Sequence, residues 1–262
     1  MSRDAGLIRV ENVSIRFGGV QALSDISFAI PSRSTFGIIG PNGAGKTTLF
    51  NCVSGFLQPE RGSRVIYDGQ DLVGRRVDQI ARLGIARTFQ NILLVKKLSV
   101  RENILAGMHL SIDYSPIAAL LPLPRVRREE DRAASRVQEV ADILGFSRQV
   151  LEAPVDTLPL GMQKKVEVAR AIARRPRVLM VDEPAGGLND GETRDLSDSL
   201  RRVKDAEDLT VVLIDHDMSL VMALCDRLCV LNFGQKIAEG TPAEIAANQD
   251  VIDCYLGVSD DA

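Results

Sequence analysis

Gly40-Pro-Asn-Gly-Ala-Gly-Lys-Thr47 follows the spacing Gly-x-x-x-x-Gly-Lys-Ser/Thr. The apolar run Thr35–Ile39 before it has strand character, and Lys46–Val53 after it is helix-competent. In that setting the residues acquire chemical meaning. Gly43 and Gly45 carry no side chain, so successive backbone N–H groups can face one concavity at the positive end of the following helix, where phosphate oxygens bind. Lys46 supplies a point charge for β- and γ-phosphate oxygens. Thr47 offers a hydroxyl to Mg²⁺, an ion that prefers oxygen ligands. A glycine-rich turn with an incidental lysine does not account for this flanking order.

Downstream, the apolar run Val178–Val181 ends in Asp182-Glu183. A strand of that kind brings both carboxylates to the C-terminal edge of the sheet, where open α/β folds bind ligands. Asp182 is expected to serve the metal and Glu183 to polarise the attacking water, because phosphoryl transfer needs positioning and charge stabilisation. Alone, an Asp-Glu pair here is as readily a helix cap. Gln90 follows the strand-like Ile85–Phe89 and His216 follows Val211–Ile214, so both can face the same crevice. Taken singly, one reads as a surface glutamine and the other as a structural histidine.

Further runs at Arg177–Val181, Thr210–Ile214 and Arg227–Leu231 read as buried strands alternating with helices. The opening, Leu7–Phe17 and Leu23–Ile30 about Gly18-Gly19, reads as strand, turn, strand. The expected fold class is α/β: a mostly parallel core sheet, an N-terminal antiparallel β subdomain and an inserted α-helical subdomain. One domain of 262 residues is expected, with a core of 1–87 and 163–240, a helical subdomain of 88–162 and a helical tail of 241–262. Within the insertion, Arg127–Leu144 reads as a charged helix and Tyr114–Pro124 as a Pro-rich link. The charge run beginning at Arg125 reads as a solvated helix face.

The composition, 45% hydrophobic, supports a large core, and a net charge of −3 disfavours nucleic acid as a partner. Cys52, Cys225, Cys229 and Cys254 form no CxxC pair, and only two histidines, His109 and His216, accompany them. They read as buried apolar thiols in a reducing compartment. Neither an N-terminal signal nor a membrane-spanning run is legible, the Pro116–Pro124 stretch being too short.

Taken together, Gly40–Thr48, Gln90, Leu158-Pro-Leu-Gly-Met-Gln-Lys-Lys-Val-Glu-Val-Ala-Arg170, Asp182-Glu183, Gly187-Leu188-Asn189 and His216 resemble the ATP-binding cassette family. The match in order and spacing covers essentially the whole chain, and implies a P-loop ATPase. ATP held by Gly40, Pro41, Asn42, Gly43, Ala44, Gly45, Lys46, Thr47 and Thr48 would be covered by a second subunit's signature, the segment Leu158, Pro159, Leu160, Gly161, Met162 and Gln163 in this chain. The resemblance makes Gln90 a Mg²⁺ and coupling switch, His216 a γ-phosphate sensor and Phe17 the aromatic that stacks on adenine.

A narrower resemblance, to ATP-binding subunits of branched-chain amino-acid type importers, rests on Arg16-Phe-Gly-Gly-Val-Gln-Ala-Leu23, Ala86-Arg-Thr-Phe-Gln-Asn91, the insertion after Glu102-Asn103, Asp182-Glu-Pro-Ala-Gly-Gly-Leu-Asn189, and the tail Gly240-Thr-Pro-Ala-Glu-Ile245 to Val251-Ile-Asp-Cys-Tyr-Leu-Gly257. It implies integral membrane permease subunits, a second ATPase subunit (paralogous or a self copy), a periplasmic solute-binding protein acting indirectly, and a peripheral location at the cytoplasmic face of the inner membrane. Urea, amide or aromatic-acid importers and lipid exporters are the competing transport readings. Repair ATPases with long coiled coils, tandem-cassette translation factors and GTPases with an Asn-Lys-x-Asp reader do not fit.

The signature departs from the family pattern in having Pro159, Leu160 and Met162 where Ser, Gly and Gln are usual. Proline offers neither a hydroxyl nor an N–H to the γ-phosphate, so the ATP site completed by this signature is expected to be the less active one. Proline does suit the first turn of a helix. Between Asn91 and Ala106, the run Ile92-Leu-Leu-Val95 is expected either to form an apolar docking groove or to lie in the core of the helical insertion.

Overall fold

The computed structural model describes residues 7–90, 92–109 and 124–256. Asn91, most of the Pro-rich link and Gly257 of the tail lie outside them. Two sheets form the frame. β1 (Ile8–Phe17) and β2 (Val20–Ile30) make an antiparallel hairpin, and β4 (Arg64–Tyr67) and β5 (Gln70–Asp71) extend it in the order β2-β1-β4-β5. The second strand starts at Val20 rather than Leu23, so Gly18-Gly19 is a two-residue turn with Phe17 facing Val20. The larger sheet adds β3 (Thr35–Ile39), β6 (Ile85–Arg87), β7 (Val178–Asp182), β8 (Thr210–Ile214), β9 (Arg227–Asn232) and β10 (Gln235–Gly240) in the order β10-β9-β3-β8-β7-β6. Its pairings are parallel except β9–β10. Strands β3, β7 and β8 are buried along their entire length, the property that made them legible as unbroken apolar runs.

Helix α1 (Lys46–Val53) packs Leu49, Phe50 and Val53 into the apolar layer between the two sheets, beside Ile80 of α2 (Val77–Arg82). The opposite face of the large sheet is covered by a second cluster. It gathers α3 (Val100–Gly107), α4 (Pro124–Leu144), α5 (Arg148–Glu152), α6 (Leu160–Ile172), α7 (Asp190–Ala206) and α8 (Met218–Leu224). Helices α9 (Pro242–Ala246) and α10 (Gln249–Leu256) close the described chain. Arg136 of α4 is buried and donates to the Ile172 and Ala173 carbonyls while pairing with Glu207. A cation thereby caps the negative end of α6 and sets that helix against the insertion.

Candidate functional site

The Gly40–Thr47 turn is shaped by three left-handed glycines, and two of them leave no choice of residue. At Gly40 (φ 147°) a Cβ would lie 2.0 Å from the Leu231 carbonyl oxygen; at Gly45 (φ 99°) it would lie 2.7 Å from Leu23 Cδ2. Gly45 is the N-cap of α1 and has no side-chain cap, leaving the helix's first N–H groups to a ligand. Lys46 is 8% exposed, and its Nζ donates to the Gly40 and Pro41 carbonyls at 2.7 and 2.8 Å. Desolvation holds its pKa below the ordinary lysine value, and the Glu183 carboxylate offsets part of that effect. The ammonium has three donors, so one remains for an anion.

Asn42 to Thr48, Val20, Gln21, Ala22, Glu183, Phe233 and Gly234 line one cavity over the turn. Phe17, expected against adenine, is not in that lining. It is half-exposed at the end of β1, and its register partner Val20 takes the position on the cavity wall. Phe233, on the β9–β10 turn, had no signal of its own in the sequence reading.

Asp182 ends β7 in register with Ile214 of β8. It is 4% exposed, and Arg87 donates to its Oδ2 at 2.8 Å. Arg87 also reaches Asn51 and Ser54 of the α1 end, and its guanidinium faces the rings of Phe50, Phe56 and Phe89. Glu183 takes a left-handed backbone (φ 46°), which turns its side chain off the strand line. Its N–H donates to the Ile214 carbonyl, its own carbonyl accepts from Lys164 Nζ at 3.2 Å, and Gln90 Nε2 donates to its carboxylate at 2.7 Å. Gln90 thus meets Glu183 directly. Lys164 is buried on α6, and desolvation lowers its pKa, with Glu167, Asp215 and Glu183 acting the other way.

His216 is exposed on the loop after β8 and lies outside the cavity lining. Its loop is set by Asp215, which is 1% exposed. One carboxylate oxygen of Asp215 accepts from His216 N and Asp217 N, and the other accepts from Ala185 N, two residues beyond Glu183. Asp215, Lys164 and Arg87 are functional-site residues that the sequence reading missed.

The family described as ABC transporter matches residues 23–186, and that described as branched-chain amino acid ATP-binding cassette transporter matches residues 235–261. The chain belongs to the ABC transporter family. It is 40% identical to the high-affinity branched-chain amino acid transport ATP-binding protein BraF of Pseudomonas aeruginosa, over 96% of this chain and 98% of that protein. It is 39% identical to the protein of the same description, LivG, from Escherichia coli K12, over 96% and 98%. A nucleotide-free ATP-binding cassette from an ABC transporter superposes with a TM-score of 0.81 at 29% identity, covering 96% of this chain and 99% of that one. A structure of the ADP conformation of an ATP-binding cassette of an ABC transporter gives 0.82 at 29%, covering 96% of this chain and 98% of that one. The chain is therefore an ABC-type ATPase that binds ATP.

The signature segment Leu158–Gln163 does not line the cavity over the Gly40–Thr47 turn. Pro159 occupies the N-cap position of α6, just ahead of the first turn rather than within it, and its carbonyl accepts from Gln163 N. No side chain caps the α6 N-terminus; Gln163 Nε2 turns back to the Leu158 carbonyl. Gly161 is packed against Glu192, where a Cβ would sit at 3.2 Å.

Ile92–Val95 divides between the two expectations. Leu94 is buried and Ile92 packs on the core, while Leu93 and Val95 are each 51% exposed. These outward residues share a groove with Phe56, Val77, Phe89 and Ala106. Among the described residues no helix is long and apolar enough to cross a membrane.

Proposed function

We propose that this chain is one of two ATPase subunits powering an importer for branched-chain amino acids or related small polar solutes. The observation that carries the catalytic part is that Lys46 and Glu183 line one cavity at the C-terminal edge of a parallel sheet, with Gln90 bonded to Glu183. The solute class is supported by the similarity to BraF and LivG and by the match of the tail.

In this reading the turn's N–H groups and the α1 N-terminus hold the phosphates, and Lys46 exchanges a loop carbonyl for their β/γ oxygens. Glu183, oriented by Gln90, accepts a hydrogen bond from the attacking water, and His216 contacts the γ-phosphate. Magnesium suits the donors present, all oxygen: Thr47 in the cavity wall, the Gln90 amide oxygen, and Asp182, whose Oδ2 alone is taken by Arg87. When bound it neutralises charge on the phosphates.

The uncapped α6 N-terminus is an anion-binding end that covers the ATP of a paralogous or identical partner. Pro159 contributes no hydroxyl there, which weakens that site. Residues 88–162 act as a helical subdomain on the core of 1–87 and 163–240. The groove of Phe56, Leu93 and Val95 receives an apolar segment of a permease subunit, placing the chain on the cytoplasmic face of the membrane. A periplasmic binding protein delivers the solute to that permease.

Reconstitution in vesicles with the permease subunits, second ATPase and binding protein tests this reading. Labelled leucine should accumulate only with ATP and Mg²⁺, and Glu183→Gln should slow uptake about 10²-fold or more. ATP-independent accumulation, or uptake indifferent to Glu183→Gln, refutes it.

A further inference from the structure

Glu183 holds a conformation that its own sequence opposes. It is a non-glycine residue at φ 46°, and the next residue is Pro184, whose ring narrows the backbone choices of the residue before it. Proline also lacks an N–H, so the peptide joining 183 and 184 offers one polar handle, the Glu183 carbonyl. Within the local turn that oxygen accepts from Gly186 N at 3.3 Å, at the long end for such a bond. Its other donor comes from a different element: Lys164 Nζ, at 3.2 Å.

Lys164 lies one turn into α6 and is 7% exposed. A buried ammonium is costly unless its surroundings compensate it. Burial lowers its pKa, and the negative charges of Glu167, Asp215 and Glu183 offset that in part. It forms no ion pair among the described residues, and the Glu183 carbonyl is its one hydrogen-bond acceptor there. The two neighbouring acids do not need it for a hydrogen bond. Glu167 accepts from Leu93 N at 3.0 Å, and Asp215 accepts from Ala185 N, His216 N and Asp217 N. The directional contact of this cation is with Glu183 alone.

We propose that Lys164 is a positioning residue for hydrolysis, which holds the Glu183 carbonyl and so fixes the direction in which the Glu183 carboxylate leaves the end of β7. The inference rests on the reading of Glu183 as the group that polarises the attacking water. With its N–H held by the Ile214 carbonyl and its own carbonyl by Lys164, the Cα between them keeps the left-handed geometry. Release of the carbonyl lets the residue relax toward extended backbone and carries the carboxylate away from the water. A misplacement of about 1 Å at a reacting group costs up to about 10²-fold in rate.

Lys164→Met removes the ammonium and nearly keeps the length of the side chain. ATP turnover by the reconstituted transporter is measured with labelled ATP for the unaltered chain, Lys164→Met, Lys164→Arg, Glu183→Gln and the Lys164→Met, Glu183→Gln pair. ATP affinity of each full chain is measured by calorimetry, at a temperature where circular dichroism shows it folded. Turnover by Lys164→Met should fall about tenfold or more with ATP affinity unchanged. Lys164→Arg keeps a cation and N–H donors, and should hold turnover within about threefold of the unaltered chain. On top of Glu183→Gln, Lys164→Met should cost less than about twofold, since no carboxylate is left to orient. Turnover by folded Lys164→Met within about threefold of the unaltered chain overturns the inference. So does a loss of similar size in both backgrounds, or a loss by Lys164→Arg as large as that by Lys164→Met. A fall in ATP affinity that matches the fall in turnover also overturns it, as damage to the nucleotide site. Full turnover by Glu183→Gln removes the reading of Glu183 itself, and this inference with it.

Discussion

Replacing Arg87 by leucine tests the charge balance beneath the ATP site. The guanidinium is 9% exposed and the Asp182 carboxylate 4%. Its contacts are one charge-assisted bond to Asp182 Oδ2 at 2.8 Å, bonds of 2.8 and 2.7 Å to Asn51 Oδ1 and Ser54 Oγ, and three ring faces with centroids 5.4–5.5 Å away. Its Nε is buried without a partner. Leucine would regain apolar contact with Phe50, Phe56 and Phe89, which returns about 1–2 kcal/mol. Against that stands a buried, uncompensated carboxylate at about 3–5 kcal/mol, and the loss of two bonds to the neutral acceptors Asn51 and Ser54 at about 1 kcal/mol each. The net expectation for Arg87→Leu is a loss of about 3–6 kcal/mol.

Adding Asp182→Asn to that variant removes the stranded charge, and about 2 kcal/mol should return. The chain contains no tryptophan, so urea unfolding is best followed by far-ultraviolet circular dichroism. The double-mutant cycle then isolates the pair. A loss below about 1 kcal/mol for Arg87→Leu, or a double variant no more stable than the single one, refutes the claim that Arg87 neutralises Asp182.

Three further outcomes are expected. Glu183→Gln, with slow hydrolysis and ATP binding intact, should double its mass in solution with ATP and Mg²⁺ if the chain pairs with itself, and stay monomeric with ATP bound if only a paralogue completes it; failure to bind ATP refutes the site. Asp215→Asn puts a donor where Ala185 N or His216 N needs an acceptor, so stability should fall by about 2 kcal/mol. Turnover should fall at least about tenfold with ATP affinity kept; unchanged turnover removes Asp215 from the catalytic frame. Burial raises the Cys225 and Cys229 thiols from 9.0 to about 12. Their folded-state pKa lies above the unfolded one, so their contribution is complete below pH 9 and is lost as pH climbs toward 12. Thiol reagents at pH 8 should leave both unmodified until the chain unfolds, and rapid modification of either in the native state contradicts the burial.

Much of this was legible in the sequence because the signals were local. The Gly40–Thr47 spacing needs only its own eight residues and two flanks, and fully buried strands announce themselves as apolar runs. The β10 strand, Gln-Lys-Ile-Ala-Glu-Gly, gave no such signal because it is a polar edge strand, with Lys236 and Glu239 guarding an open side. The missed site residues act across long separations. Arg87 meets Asp182 at 95 positions' distance, Asp215 meets Ala185 at 30, and Lys164 meets Glu183 at 19. No periodicity encodes such pairs. For Phe233 the sequence offers only a dipeptide, a bulky aromatic before glycine, with a strand-like run on one side alone. It becomes informative only when the turn is known to have two residues.

Glu183 is held by contacts from several separate elements. Ile214 fixes its N–H, Lys164 of α6 holds its carbonyl, and Asp215 anchors Ala185 beyond it. The bond to its carboxylate comes from Gln90, in an irregular segment, and Gln90 adjoins Phe89. The Phe89 ring meets Phe56 edge-on at 5.8 Å in the exposed groove, and both rings face Arg87, which grips Asp182. If a permease segment seats in this groove as proposed, it meets residues joined to both carboxylates, to Glu183 through Gln90 and to Asp182 through Arg87. A hydrogen bond of 2.7 Å is lost once its partners separate by an additional ångström or so. The groove residues and the two carboxylates thus belong to one contiguous set of contacts, in which the Gln90 bond to Glu183 is broken by a shift of that size.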